Sequence, residues 1–180
     1  METGRRKAFD IAIVIVIVII SVAIFIERDK IQNLGKASYL GVLLLCFLAN
    51  ATVLLPAPSL LVVASCSLIL NPLLVAFFAA IGATLGEAVG YCFGKAAKGL
   101  SSSFQTILEK ISRIIHNESL LIFVFAVLPL PIFDMIGVYS GGTKVSLYKF
   151  LGICFLGKLL KMLLFTQTFK ILDWDSQLLK

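Results

Sequence analysis

The sequence predicts an all-α integral membrane protein with transmembrane helices, two opposed re-entrant helical hairpins that form an inverted repeat, and an amphipathic surface helix. Hydrophobic residues make up 59 % of the 180 residues and charged residues only 14 %, and the mean hydropathy is +1.03. A soluble domain carries about 25 % charged residues and avoids large exposed apolar patches. Several apolar runs approach the length of a membrane span, and two Pro-x-Pro motifs interrupt them. We therefore expect residues 1–180 to form a single membrane domain.

The apolar run over residues 11–26 predicts a first transmembrane helix. The polar sequence Glu27-Arg28-Asp29-Lys30 follows it, where a signal peptide would have small residues for cleavage. Arg5, Arg6 and Lys7 precede the run. Because basic residues stay on the cytoplasmic side, we expect a cytoplasmic N-terminus in a multi-pass protein of the plasma membrane.

A first re-entrant hairpin is predicted around residues 43–70. Its two short apolar pieces are separated by Pro56 and Pro58, and the second piece stops at Asn71-Pro72. Proline breaks the helical hydrogen-bond ladder, and a broken backbone at membrane depth persists only where protein or a watery cavity shields it. Two tilted spans joined by a tight external turn are the alternative.

The next apolar run, Leu73 to Gly94, is long enough to cross a membrane. It carries glycines spaced four residues apart, which fall on one face of a helix: Gly82, Gly86, Gly90 and Gly94. Such a face allows the close approach of another helix, either within the chain or between subunits of a homo-oligomer, and we expect Tyr91 to contribute to the same packing surface. The polar stretch over residues 95–117 has apolar residues at helical spacing. It predicts an amphipathic helix on the membrane surface or one packed against another helix.

A second hairpin is predicted around residues 119–140, interrupted by Pro129 and Pro131 and ended by the sequence Gly141-Gly142-Thr143-Lys144. A final apolar run covers residues 147–169. Each Pro-x-Pro motif therefore lies between two short apolar pieces, and a full-length span follows each pair. Paired interrupted segments in corresponding positions indicate an inverted-repeat transporter with a site at the membrane midplane.

Four ionisable side chains lie within apolar stretches: Glu87, Asp134, Lys158 and Lys161. Each would cost about 2.5–3.5 kcal/mol at the bilayer centre, so each is expected to be paired, near an interface or functional. The structural alternatives are a buried pair between Glu87 and a lysine, a hairpin cap for Asp134, and lysines that extend to the headgroups. Asn50, close to Pro56, is expected to line the same pocket.

These groups indicate a binding site for lipid headgroups and, as a second possibility, protons. A carboxyl group in low dielectric can bind and release a proton near neutral pH, and backbone N–H groups at helix breaks can hold a phosphate. The basic residues form no stripe typical of nucleic-acid binding. Cys46, Cys66, Cys92 and Cys154 lie in apolar runs and His116 is the single histidine. The sequence therefore predicts no metal, no cofactor and no enzyme activity.

Four segments resemble the DedA family, the VTT-domain or SNARE-associated Golgi protein superfamily. They are Asn50-Ala-Thr-Val-Leu-Leu-Pro-Ala-Pro58, Gly82-Ala-Thr-Leu-Gly-Glu-Ala-Val-Gly-Tyr91 with Gly94-Lys95, Leu128-Pro-Leu-Pro-Ile-Phe-Asp134 with Gly137, and the stretch Gly157 to Lys161. The resemblance covers about residues 39–169. It implies a VTT-like core with two opposed re-entrant hairpins, and it places Glu87 at the family's acidic position before Gly-Tyr.

The resemblance also implies a function. Bacterial members are similar to translocases of undecaprenyl phosphate or phosphatidylethanolamine, and eukaryotic relatives resemble phospholipid scramblases. Many bacterial members have arginines around the second proline motif, where this chain has Ala126 and Ile132, so Lys158 and Lys161 are the candidate cations. We therefore expect a lipid translocase or scramblase. A proton-coupled transporter of a small solute and a non-transporting membrane scaffold remain alternatives.

Overall fold

A computed structural model describes residues 19, 35–51, 59–97, 117–128, 136–143 and 145–178. These segments are helical and contain no strand. Six helices have defined bounds: α1 Lys36–Ala51, α2 Ser59–Ser67, α3 Pro72–Ala97, α4 Glu118–Val127, α5 Ile136–Gly142 and α6 Leu147–Leu178. The helical fold class is thus confirmed for these segments. The predicted first transmembrane helix at 11–26 and most of the predicted surface helix lie outside the described residues.

Two helix starts follow directly from local sequence. The side-chain oxygen of Asn71 accepts a hydrogen bond from the backbone N–H of Leu73 at 3.0 Å, and Pro72 occupies the first helical position of α3. Asn117 caps α4 in the same way and accepts from Ser119 N at 3.1 Å. An asparagine cap satisfies N–H groups that the helix leaves unpaired, and proline suits a position whose N–H is not needed.

The helices enclose two apolar clusters. The first cluster combines α1, α2, the first half of α3 and the middle of α6, and its centre includes Cys46, Val62, Ala79 and Met162. The second combines the end of α3 with α4, α5 and the first half of α6, and its centre includes Tyr91, Ile122, Ile136 and Phe150. The long helices α3 and α6 therefore contribute to both clusters, and each cluster contains both short helices of one predicted hairpin.

Glycines on α3 bring neighbouring backbones into direct contact. A Cβ added at Gly82 would lie 2.1 Å from the carbonyl oxygen of Leu43 on α1. At Gly94 it would lie 2.0 Å from that of Val138 on α5. The four-residue glycine spacing thus serves contacts within the chain, as close helix packing requires.

Two glycines of α5 make the same kind of close contact with the backbone of α3. A Cβ at Gly141 would lie 1.9 Å from the Tyr91 carbonyl oxygen, and one at Gly137 would lie 2.5 Å from the Glu87 carbonyl oxygen. Helix α5 ends at Gly142, within the predicted break over Gly141-Gly142-Thr143-Lys144. These glycines stay helical because they lie against α3, where any side chain would prevent the approach.

Among the described residues, one helix is long and apolar enough to cross a membrane, over Pro72–Ala96. Helices α1 and α2 occupy the region of the first predicted hairpin, and α4 and α5 that of the second. The connections within both hairpins lie outside the described residues. The re-entrant path and the number of membrane crossings therefore stay predictions.

Candidate functional site

A buried ion pair lies between the two long helices. The Nζ atom of Lys158 on α6 is 3.0 Å from Oε1 of Glu87 on α3. Each residue is 1 % exposed. This geometry matches the expectation of a buried pair between Glu87 and a lysine, and it excludes the alternative in which Lys158 extends its ammonium to the headgroups.

Asn50 joins α1 to this pair. Its side-chain oxygen Oδ1 accepts a hydrogen bond from Lys158 Nζ at 2.9 Å. Its Nδ2 donates to the backbone carbonyl of Cys46 at 2.8 Å. Because Nδ2 is held by the Cys46 carbonyl, the oxygen is the end of the amide that faces the Lys158 ammonium. The structure thus brings together three of the predicted site residues.

The second carboxylate oxygen of Glu87 is held by the start of α5. The backbone N–H of Gly137 donates to Glu87 Oε2 at 3.2 Å. A side chain at Gly137 would collide with this oxygen, because its Cβ would lie 2.8 Å from Oε2. Gly137 therefore gives the carboxylate access to a backbone donor, a contact that strengthens because the acceptor is charged.

The ion pair occupies the boundary between the two apolar clusters. On α3, Ala83 belongs to the first cluster and Tyr91 to the second, and Glu87 lies midway between them. On α6, Cys154 belongs to the second cluster and Met162 to the first, with Lys158 midway. The site is therefore a charged layer between two apolar clusters, contacted by both predicted hairpins through Asn50 and Gly137.

Burial of this pair makes its integrity important for the fold. Removing two charges from water carries a penalty of several kcal/mol per ion, which close pairing and additional hydrogen bonds offset. Asn50 and Gly137 provide such bonds, one to each charge. A ligand that separates the charges must therefore satisfy both of them, or one must change its protonation.

Other polar groups near the site have different surroundings. Lys161 is buried on α6, within one turn of Lys158. The hydroxyls of Thr84 and Thr166 donate to carbonyls of their own helices, Ala80 and Leu163. They therefore satisfy their hydrogen bonds locally.

Tyr91 anchors the second cluster through its ring and its hydroxyl. The ring stacks on Phe150 with centroids 5.3 Å apart, and the hydroxyl donates to the Val145 carbonyl at 2.7 Å. The residue was predicted only as part of the helix-packing face. Its hydroxyl ties α3 to the segment immediately before α6.

Several predicted site residues lie outside the described residues: Asp134, Pro56, Pro58, Pro129 and Pro131. Their roles stay predictions. Within the described segments, no group of His, Cys, Asp or Glu residues could hold a metal ion.

Sequence reasoning missed two glycines that shape the site. Gly137, quoted only for the family resemblance, is the backbone donor to Glu87. Gly157 precedes Lys158, and a Cβ there would lie 2.6 Å from the Ala126 Cβ on α4. A usable signal was present, because Gly137 and Gly141 have the same four-residue spacing as the glycines of α3.

The fold and site define a helical protein in which two long helices share a buried charge pair, flanked by two pairs of short helices. The VTT domain family matches residues 55–170. The chain therefore belongs to the VTT domain family, the DedA or SNARE-associated Golgi group, whose members are generally membrane proteins. Comparisons with curated proteins and with solved structures find no match.

Proposed function

We propose that this protein moves lipids between membrane leaflets and that the layer formed by Asn50, Glu87 and Lys158 is the polar site on the headgroup path. The single observation that carries the proposal is the ion pair at the boundary of both hairpin regions. Ionisable groups inside membrane segments are costly, and they commonly mark a substrate or ion pathway. Membership of the VTT family supports a membrane setting.

Exposed apolar ridges support insertion in a bilayer. Three helices each present large apolar side chains at four-residue spacing on their outer surfaces: Leu40, Leu44 and Leu48 on α1, Leu85, Val89 and Phe93 on α3, and Leu156, Leu160 and Leu164 on α6. A soluble protein would bury such ridges, whereas lipid chains cover them without cost. In the proposed arrangement these ridges face the lipid and the charge pair faces inward.

The two hairpin regions are proposed to form opposed re-entrant units. Helix α1 packs on α3 and α4 packs on α6, while α5 contacts α3 and α2 contacts α6. Each hairpin thus contacts the long helix that follows it and also the other long helix. This reciprocal packing supports an inverted repeat, in which a site between the repeats can be reached from either leaflet.

The proposed headgroup contacts follow from charge. Lys158 is the candidate partner for a lipid phosphate, because an ammonium offers three donors as a compact point charge. Glu87 would then need either a proton or a cationic part of the headgroup, since an unpaired buried carboxylate is costly. A separation of α5 from α3 would expose the pair, which is closed in this structure.

Reconstitution in liposomes with fluorescent phospholipids tests the proposal. Dithionite reduction of the label measures exchange between leaflets, and we expect exchange well above that of protein-free vesicles. Lys158→Met should reduce the rate by about tenfold or more, which corresponds to about 1.4 kcal/mol. The matched control is Lys149→Met, because Lys149 is exposed on the same helix and should leave the rate unchanged. Exchange no faster than in empty vesicles would contradict the proposal.

Proton-coupled transport of a small solute is the second candidate, because Glu87 is a buried carboxyl group beside a lysine. This function requires uptake that depends on a pH gradient and is lost in Glu87→Gln. The scaffold alternative predicts that Glu87→Gln lowers thermal stability and that the wild-type protein catalyses neither uptake nor lipid exchange. Parallel measurements of melting, uptake and lipid exchange separate the three functions.

A further inference from the structure

The two long helices correspond residue by residue at a constant offset in numbering. Pairs of buried residues match over the central part of the two helices: Ala79 with Phe150, Ala83 with Cys154, Gly86 with Gly157, Glu87 with Lys158, and Tyr91 with Met162. The exposed ridge follows the same offset: Leu85 with Leu156, Val89 with Leu160, and Phe93 with Leu164. Between residues 79 and 93 of α3, no buried position of one helix falls on an exposed position of the other.

The helices packed on these two long helices correspond as well. A Cβ at Gly86 would lie 2.7 Å from both the Phe47 carbonyl oxygen and the Asn50 Cβ. A Cβ at Gly157 would lie 3.0 Å from the Phe123 carbonyl oxygen and 2.6 Å from the Ala126 Cβ. Phe47 therefore matches Phe123, and Asn50 matches Ala126. The same sequence spacing, Phe-x-x-Asn50 and Phe-x-x-Ala126, appears on α1 and α4.

Equivalent positions that touch each other must lie on the axis that relates the two copies, as in any isologous contact. Glu87 and Lys158 are equivalent and are in direct contact. The charge pair therefore lies on the local twofold axis, where one copy carries a carboxylate and the other an ammonium. On α1 and α4 the copies differ in the amide that Asn50 carries and Ala126 lacks.

We propose that Asn50 is a positioning residue that makes the two halves of the site unequal, and that Ala126 is its vacant equivalent facing Glu87. Asn50 on the first copy holds the ammonium of the second copy, since Oδ1 accepts from Lys158 Nζ. Its Nδ2 is fixed by the carbonyl of Cys46. The twofold matches Cys46 with Ile122, and both are fully buried. An amide at position 126 would therefore find the same backbone acceptor and would face the side chain at position 87.

This equivalence predicts that the two charges can exchange places across the axis. The double variant Glu87→Lys/Lys158→Glu exchanges the charges across the axis, and it should melt well above either single variant, which buries two like charges. Adding Asn50→Ala and Ala126→Asn to the double variant moves the amide to the side of the new ammonium. We expect this fourfold variant to melt higher than the double variant by about 4 °C or more.

The control replaces Ala126→Asn by Val127→Asn, which places the same amide one residue later on a different face of α4. It should not raise the melting temperature of the charge-exchanged protein. If Asn50 only filled space, an asparagine at position 126 would not raise the melting temperature of the charge-exchanged protein. The proposal is overturned if the fourfold variant melts no higher than the double variant, or if the double variant melts no higher than both singles.

If the charge exchange prevents folding, the role of position 126 can be tested in a variant that carries neither charge. In Glu87→Gln/Lys158→Met, the amide at position 87 can donate to a new acceptor on α4. Ala126→Asn should raise the melting temperature of this protein, and Val127→Asn should not. Equal effects of the two substitutions would overturn the proposal. These measurements do not depend on lipid exchange, so a protein that melts as expected but moves no lipid contradicts only the proposed function.

Discussion

The two apolar clusters on either side of the ion pair are packed differently, although the same two long helices build both. In the first cluster α3 contributes mainly alanines, including Ala76, Ala79 and Ala80, and α6 contributes the larger side chains. In the second cluster α3 contributes Tyr91, whose ring and hydroxyl are both engaged. The second cluster is thus held by apolar packing and by a buried hydrogen bond, whereas the tyrosine bond beside the first cluster, from Asn71 N to the Tyr39 hydroxyl at 3.3 Å, lies exposed at its edge.

This difference makes the two otherwise similar halves of the helical framework unequal. Met162 and Tyr91 occupy equivalent positions, one turn beyond Lys158 and Glu87. Met162 fills its space without polar contacts, whereas Tyr91 also fixes the backbone at Val145. An apolar cluster tolerates small changes in packing, but a hydrogen-bonded tyrosine holds one geometry. We therefore expect the half with α4 and α5 to be the more rigid one.

The largest effect is expected from breaking the pair that separates the clusters. Lys158→Met leaves the carboxylate of Glu87 buried without its cation and should cost about 3–5 kcal/mol of unfolding free energy. Thermal unfolding in detergent measures the loss. The double variant Glu87→Gln/Lys158→Met removes both charges and should recover much of it. A double variant as unstable as Lys158→Met would contradict this account of the pair.

An intermediate effect is expected from the contact between α3 and the second hairpin. Gly94→Ala places a methyl group against the Val138 carbonyl and should cost about 1–3 kcal/mol through overpacking. The matched control is Gly90→Ala, because a Cβ there would lie 3.5 Å from its nearest neighbour, an ordinary contact. Since alanine favours helix by up to about 1 kcal/mol, this control should be neutral or stabilising. Equal losses at both positions would contradict the difference between these two contacts.

The smallest effect should come from the buried hydrogen bond of Tyr91 in the second cluster. Tyr91→Phe keeps the stacked ring and removes the donor to Val145, which should cost about 1 kcal/mol. Hydrogen exchange of the amides around residue 145 should accelerate in this variant, while amides of α1 should not change. Faster exchange in both regions would contradict the separation of the clusters.

Sequence reasoning predicted the helical class, and the structure confirms it for the described segments. It also named Glu87, Lys158 and Asn50 as site residues before their contacts were known, because charged and amide groups within apolar stretches need partners. It could not predict the contact between Lys158 and Glu87, because the crossing of α3 and α6 sets the distance between the two side chains.

The sequence predicted that the glycines serve close helix contacts, but it did not predict which helices they contact. Four-residue spacing indicated a close contact on α3 without telling which helix makes it. The structure divides the stripe, so that Gly82 and Gly86 face α1 while Gly94 faces α5. The match between Glu87 and Lys158 was hidden because the two halves share few identical residues. Burial, which depends on the complete fold, reveals it.

The backbone contact between Gly94 on α3 and Val138 on α5, and that between Gly141 and Tyr91, limit how the buried pair can be reached. No side chain lies between these backbones, so no rotamer change can act as a gate there. Access to Glu87 from this side requires α5 to leave α3 as a unit, together with the N–H of Gly137. Such concerted departure loses many dispersion contacts at once, so opening should be steeply temperature-dependent.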